Sequence, residues 1–169
     1  MVNKKTKDRH SMSTIYNLIR KDHNKHRTLL KKIAQTHGDT PQRRELWQRF
    51  YYDVKAHAAA EEETLYAEMM RHPEGQPEAR HSVSEHKELD DLMEALNDMP
   101  FSNPHWLQKF KTLRHDYLHH INEEENEILP QGRKLLGLSA AKLLGAKFTQ
   151  RKPAEVKRVD QKAEEKLTV

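Results

Sequence analysis

His57-Ala58-Ala59-Ala60-Glu61 and its echo His120-Ile121-Asn122-Glu123-Glu124 are the two stretches from which the rest of this chain is best read. In a helix, residues four apart share a face, so each stretch sets an imidazole beside a carboxylate. Such a pair is either an ordinary charged face or half of a metal site. Two features separate the readings: whether the pairs lie on apolar stripes, and whether further ligands point to the same place.

The stripes are there. Ile15, Ile19, His23, His26, Leu30 and Ile33 line a first helix, begun by Ser11 or Ser13 and running to about His37. Gly38 and Thr40-Pro41 supply a stop, a cap and a first-turn proline. Trp47, Phe50, Val54, His57, Glu61, Leu65 and Met69 line a second helix from about Pro41 to Met70 or Arg71. Val83, His86, Leu89, Met93 and Leu96 mark a third over about 77–97. Trp106, Phe110, Leu113, Tyr117, His120, Glu124 and Ile128 mark a fourth over about 104–128, ended by Pro130 and Gly132. Four such helices with short connections predict an all-α, antiparallel up-down-up-down bundle. A short helix is expected from Ala140 to about Gln150, with Pro153 separating a charged segment. The expected organisation is a flexible N-terminus over 1–10, a bundle over 11–132, and a short helix with a basic tail over 133–169.

Composition narrows the chemistry. The chain has 169 residues, 33% charged and 35% hydrophobic, with twelve His and no Cys. That balance suits amphipathic helices, and without cysteine a metal must be held by nitrogen and oxygen. No stretch has the apolar length to span a bilayer and no signal core follows Met1, so a cytoplasmic location is expected. Residues 131–169 hold ten Lys/Arg against four Asp/Glu, while the remainder is slightly acidic. The basic character therefore belongs to the tail, whose two readings are a segment covering one end of the bundle and a segment attracting nucleic acid or anionic membrane. No aromatic interleaving or recognition motif supports specific nucleic-acid binding.

The ligands repeat. His23 and His86, His57 and His120, and Glu61 and Glu124 are each 63 residues apart. The flanks agree: Asp22-His23 matches Glu85-His86, Trp47 matches Phe110, Asp53 matches Asp116, and Leu65-Tyr66 matches Ile128-Leu129. Two matching hairpins would bring four imidazoles and two carboxylates into one core. Buried ionised carboxylates are costly unless compensated, and two metal ions bridged by both carboxylates would compensate them. A polar His/Glu network without metal is the other reading. Nitrogen–carboxylate coordination with open positions is typical of non-haem iron.

This His…His-x-x-x-Glu…His…His-x-x-x-Glu order resembles the hemerythrin-like, or HHE, family of cation-binding four-helix bundles, over roughly residues 12–130. Ferritin-like diiron proteins read Glu-x-x-His instead. The resemblance implies two non-haem iron ions, one on His23 and His57 and the other on His86 and His120. Glu61 and Glu124 would bridge them, with an oxo or hydroxo bridge compatible. Oxygen-carrying members have a second His four residues before the third-helix ligand, where this chain has Ser82, and a carboxylate five residues after the last His, where Glu124 stands at four. A site with fewer ligands leaves positions for water, peroxide or nitric oxide, which favours reactivity or sensing over carriage.

His26 is a candidate additional ligand or a group orienting one, and Tyr117 or Tyr51 a donor to a bound oxygen species. Glu62, Glu63, Glu123 and Glu125 read as helix-surface acids, with Glu62 or Glu125 lining an ion path as the alternative. His81, His115 and His119 read as solvated. Phe50, Val54, Leu65, Met69, Leu113, Ile121 and Ile128 should wall the site. The expected function is binding of, or reaction with, dioxygen, peroxide or nitric oxide, in oxygen or redox sensing, iron handling or stress protection. Peroxide breakdown or substrate oxidation is the enzymatic alternative, and an interaction module with a structural metal and a nucleic-acid-attracting tail is the third.

Overall fold

A computed structural model describes residues 13–167, with side chains through residue 162, and the segment expected to be flexible (1–10) lies outside them. All regular structure among the described residues is helical. Thr14, rather than Ser11 or Ser13, caps α1 (Ile15–Ala34) by accepting a bond from the Asn17 amide. Ser11 lies outside the described residues. Gly38 takes φ +60° in the turn after α1, a conformation open to glycine. Thr40 then caps α2 (Pro41–Glu61), with Pro41 in the first turn where a missing N–H costs nothing.

Helix α2 does not stop at Glu61. It passes through a π-helical turn (Glu62–Tyr66) into Ala67–Met69. A short 3-10 turn leads to α3 (Gln76–Asp98), and α4 (Trp106–Glu123) comes next. Helix α4 also enters a π turn (Glu124–Ile128) and continues over Leu129–Leu135. The expected stop at Pro130 therefore does not occur. Leu129 already donates to the Glu124 carbonyl five residues back, so the α ladder is interrupted before the proline ring arrives.

The last helix differs most from expectation. Instead of a short helix and a separate charged segment, one helix, α5 (Leu138–Leu167), runs through Pro153. Local propensity is overridden by docking: α5 packs along α1 and α2, burying Leu144 and Phe148. Ion pairs hold the helix on either side of the proline, Lys152 to Asp22 and Asp53 and Arg151 to Glu63 before it, and Arg158 to Glu63 after it.

The core is divided. Along each of α1 to α4, one end contributes to an apolar cluster containing Phe50, Leu89, Met93, Trp106 and Phe110. The other end contributes to a second cluster containing Ile19, Leu65, Met69, Ala79 and Ile128. Between them on every helix stand His23, His57, Glu61, His86, His120 and Glu124, all buried. At the aromatic end, buried Arg43 donates to Thr36 and to the Phe101 carbonyl, tying two connections together over the Trp106 ring. No helix among the described residues is long and apolar enough to cross a membrane.

Candidate metal centre

The six repeated residues converge. His23, His57 and Glu61 form one group whose ligand atoms lie within 4.8 Å of one another, and His86, His120 and Glu124 form the other. Each carboxylate also reaches across the halves. Glu61 lies 3.1 Å from His57 Nε2 and 3.4 Å from His86 Nε2. Glu124 lies 3.2 Å from His120 Nε2 and 3.8 Å from His23 Nε2. The expected wall is present: Phe50, Val54, Leu65, Met69, Leu113, Ile121 and Ile128 are all buried.

Every one of the four imidazoles is held from behind by a carboxylate. His57 Nδ1 donates to Asp22 at 2.9 Å, and its repeat mate His120 donates to Glu85 at 3.1 Å. His23 Nδ1 donates to Glu125 at 3.0 Å, and its mate His86 donates to Glu62 at 2.9 Å. A carboxylate only accepts, so the Nδ1 proton is fixed and each Nε2 is turned inward. The 63-residue repeat thus extends to the orienting acids. Glu62 and Glu125 are not the plain surface acids expected. They come directly after the two buried glutamates in sequence, and their side chains reach sideways to an imidazole on a neighbouring helix. The signal was in the sequence, since 62 and 125 obey the same spacing as the ligands.

His26 and Tyr117 occupy an outer position. His26 Nε2 donates to Asp53 at 2.5 Å, and its Nδ1 accepts from the Tyr117 hydroxyl at 2.6 Å. Both ring nitrogens are engaged within the protein. Burial lowers the His26 pKa to about 4 against the pull of Asp53, keeping the ring neutral. Burial, reinforced by Glu124 and Glu61, holds the Tyr117 hydroxyl protonated, as its donor role requires. Tyr51 turns away to donate to Glu94.

The centre calls for positive charge. None of the four oxygens of Glu61 and Glu124, nor His23 Nε2, has a partner of hydrogen-bonding geometry, although all are buried. His86 Nε2 and His120 Nε2 face each other at 3.1 Å, where two lone pairs would repel unless a proton or cation lay between them. Burial alone would lower the imidazole pKa values, yet Glu61 and Asp22 push His57 up to about 10. His86 and His120 are pushed up to about 9, by Glu61 with Glu62 and by Glu124 with Glu85. Orphaned carboxylate oxygens facing inward-turned imidazoles are a donor set that fits transition-metal ions.

A cleft of about 1070 Å³ leads to this centre, with His57, His86, His120 and Tyr117 among its lining. Val54, Ala58, Leu89 and Met93 form its apolar walls, and Lys55, Lys87 and Arg158 also line it. Ser82, one turn before His86, is fully buried, so the place where oxygen carriers have an extra imidazole holds a hydroxyl.

Comparison with known proteins agrees with this architecture. A family model described as the hemerythrin HHE cation-binding domain matches residues 14–131. A protein named DNA nickase from Nostoc sp. (strain PCC 7120 / SAG 25.82 / UTEX 2576) is 30% identical over 114 residues, which are 68% of this chain. The match spans only 32% of that relative's length. The crystal structure of a hemerythrin HHE cation-binding domain-containing protein from Mycobacterium kansasii superposes with a TM-score of 0.80 at 18% identity, covering 90% of this chain and 93% of that one. With its helical bundle and its duplicated His/Glu groups, this chain belongs to the hemerythrin HHE cation-binding domain family.

Proposed function

We propose that His23, His57, Glu61, His86, His120 and Glu124 hold two non-haem iron ions within an antiparallel four-helix core, and that the protein binds or reacts with dioxygen, peroxide or nitric oxide. The observation that carries this is the set of buried, unpartnered oxygens on Glu61 and Glu124 beside inward-turned imidazoles. The iron pair, when bound, supplies redox chemistry toward such small ligands. The chain's own residues do the rest. Asp22, Glu62, Glu85 and Glu125 hold the Nδ1 protons and so aim the Nε2 lone pairs. The apolar clusters on both sides exclude water from the carboxylates, which strengthens their hold on a cation. Tyr117 is pinned by His26, so its hydroxyl is committed to the protein. Sensing, iron handling or stress protection are the roles open to such a centre. The cleft exceeds what a diatomic ligand needs, which keeps peroxide breakdown or oxidation of a larger substrate alongside binding.

The test is metal analysis combined with optical spectroscopy of the oxidised protein. Two irons per chain are expected, with loss of bound iron in His57→Ala and His120→Ala. One zinc per chain, or no metal after iron-replete expression, would overturn the reading.

The name of the Nostoc relative favours a second reading, in which the metal centre serves nucleic-acid cleavage. Against it, Arg151, Lys152 and Arg158 of α5 already pair with acids of the bundle, and Lys152 is largely covered. Supercoiled plasmid left intact by the metal-loaded protein would remove this reading, and nicking abolished by His57→Ala would establish it.

A further inference from the structure

The repeat that builds the centre is broken on its outside, and the break has a chemical character. In the first half, Asp22, which orients His57, is met by the Lys152 ammonium of α5 at 2.9 Å. Around it the surface is closed: Ala56 and Ala60 are fully buried and Leu18 packs into the cluster that includes Leu144 and Phe148. In the second half, the equivalent acid is Glu85, which orients His120. The positions 63 residues beyond Leu18, Ala56 and Ala60 are His81, His119 and Glu123. An apolar seat for a helix has been replaced by two imidazoles and a carboxylate.

These side chains already face one another. His81 Nε2 lies 3.3 Å from Glu85 Oε1 and 3.1 Å from Glu123 Oε1, and His119 Nε2 lies 3.4 Å from Glu123 Oε2. One ligand atom from each of His81, Glu85 and Glu123 lies within 4.8 Å of the others. His81 and Glu85 are one turn apart on α3, and His119 and Glu123 are one turn apart on α4. Two further His-x-x-x-Glu pairs therefore meet across the α3–α4 seam, outside the core pairs. Two carboxylates held together at a surface favour a cation between them. Where the first half uses a lysine, the second half offers nitrogen and oxygen ligands with the softness and spacing for a divalent transition-metal ion.

We propose that His81, Glu85, Glu123 and His119 form a second, peripheral site for a divalent transition-metal ion, standing where the Lys152 ammonium stands in the other half. Glu85 belongs to both environments, since its Oε1 accepts from His120, so an ion there is linked to the buried centre through one carboxylate. The site is open to solvent: the side chains of His81 and His119 are 52% and 69% exposed. Such a site exchanges its ion more readily than the buried centre.

Equilibrium dialysis of the full-length protein, as isolated with its bound metal, against zinc tests this. Zinc and iron are both measured in the retentate, so zinc that displaces metal from the centre is counted separately. The wild type is expected to take up one zinc more per chain than the His81→Ala/His119→Ala variant, with at least tenfold weaker zinc binding in the variant. His115→Ala, which removes an exposed imidazole elsewhere on α4, should behave as wild type. The readout is the difference between proteins, so it stands whatever the centre holds. If the double variant fails to fold by circular dichroism, Glu123→Gln replaces it with the same expectation. Equal uptake by wild type and variant, or no zinc uptake by either, would overturn the proposal.

Discussion

Asp22 and Glu85 do not themselves face the buried centre, yet each fixes the orientation of an imidazole that does. Removing the acceptor charge while keeping the shape isolates that role. Asp22→Asn and Glu85→Gln are each expected to weaken metal binding by roughly 10–100-fold, the usual cost of losing an orienting carboxylate. Competition against a chromophoric chelator measures this, and wild-type affinity in both variants would show that packing alone aims the rings. The six central residues were legible because burial and ligation act on residue type at fixed spacing, and a duplicated spacing is visible in one sequence. Glu62 and Glu125 were harder. A helical projection of α2 or α4 puts them beside the stripe, and only the neighbouring helix decides that each reaches an imidazole. His26 sits on the stripe like a ligand, but Asp53 and Tyr117 take both its nitrogens, a fact carried by three helices and by no single one.

Helix α2 was readable from its cap and periodicity, and α1, α3 and α4 chiefly from periodicity, because those signals are local. The turns beyond Glu61 and Glu124 were not. The periodicity of 3.6 residues shifts there into a π turn on both helices, directly after Glu61 in one and beginning at Glu124 itself in the other. A π turn inserts extra backbone that re-phases the residues after it, and such turns concentrate at functional sites. Helix α5 shows the opposite case, in which tertiary contacts carry a helix through Pro153 against its local preference. Its seat is close. A Cβ added at Gly145 would lie 2.5 Å from the Ser13 carbonyl oxygen and 3.1 Å from the Ile15 amide nitrogen. Those are backbone atoms at the start of α1, so neither can swing aside. Gly145→Ala gains helix propensity but must push α5 off α1, and a net loss of about 1–3 kcal/mol is expected, as for overpacked cores. Urea denaturation monitored by circular dichroism gives the number. A stabilised variant would mean that the contact between α5 and α1 is slack.

At the scale of the whole molecule, a ring of carboxylates surrounds the imidazole layer, and their titration should govern acid stability. Burial pushes Asp22 and Asp53 up, but bonds from His57 and Lys152 to Asp22, and from His26 and Lys25 to Asp53, bring both below the ordinary carboxylate range. Burial likewise opposes His23 and Arg27 at Glu125, and these partners bring it to about 2. Glu85 is lowered chiefly by its bond from His120. All four are lower folded than unfolded, so the unfolded chain binds more protons as pH falls. Their contribution is fully present above roughly pH 4.5, the top of the unfolded carboxylate range, and is lost as pH falls toward about 2. Since the same acids orient the imidazoles, stability and metal retention should decline together over that window. Urea midpoints measured from pH 6 to 3 should fall for the wild type and fall less steeply for Asp53→Asn/Glu125→Gln, which begins less stable. Parallel curves for the two proteins would locate the acid-sensitive groups elsewhere. Metal lost well above this window, with the urea midpoint unchanged, would instead mean that protons compete at the imidazoles directly, and the layer would then act as a metal site whose pH response is separate from that of the fold.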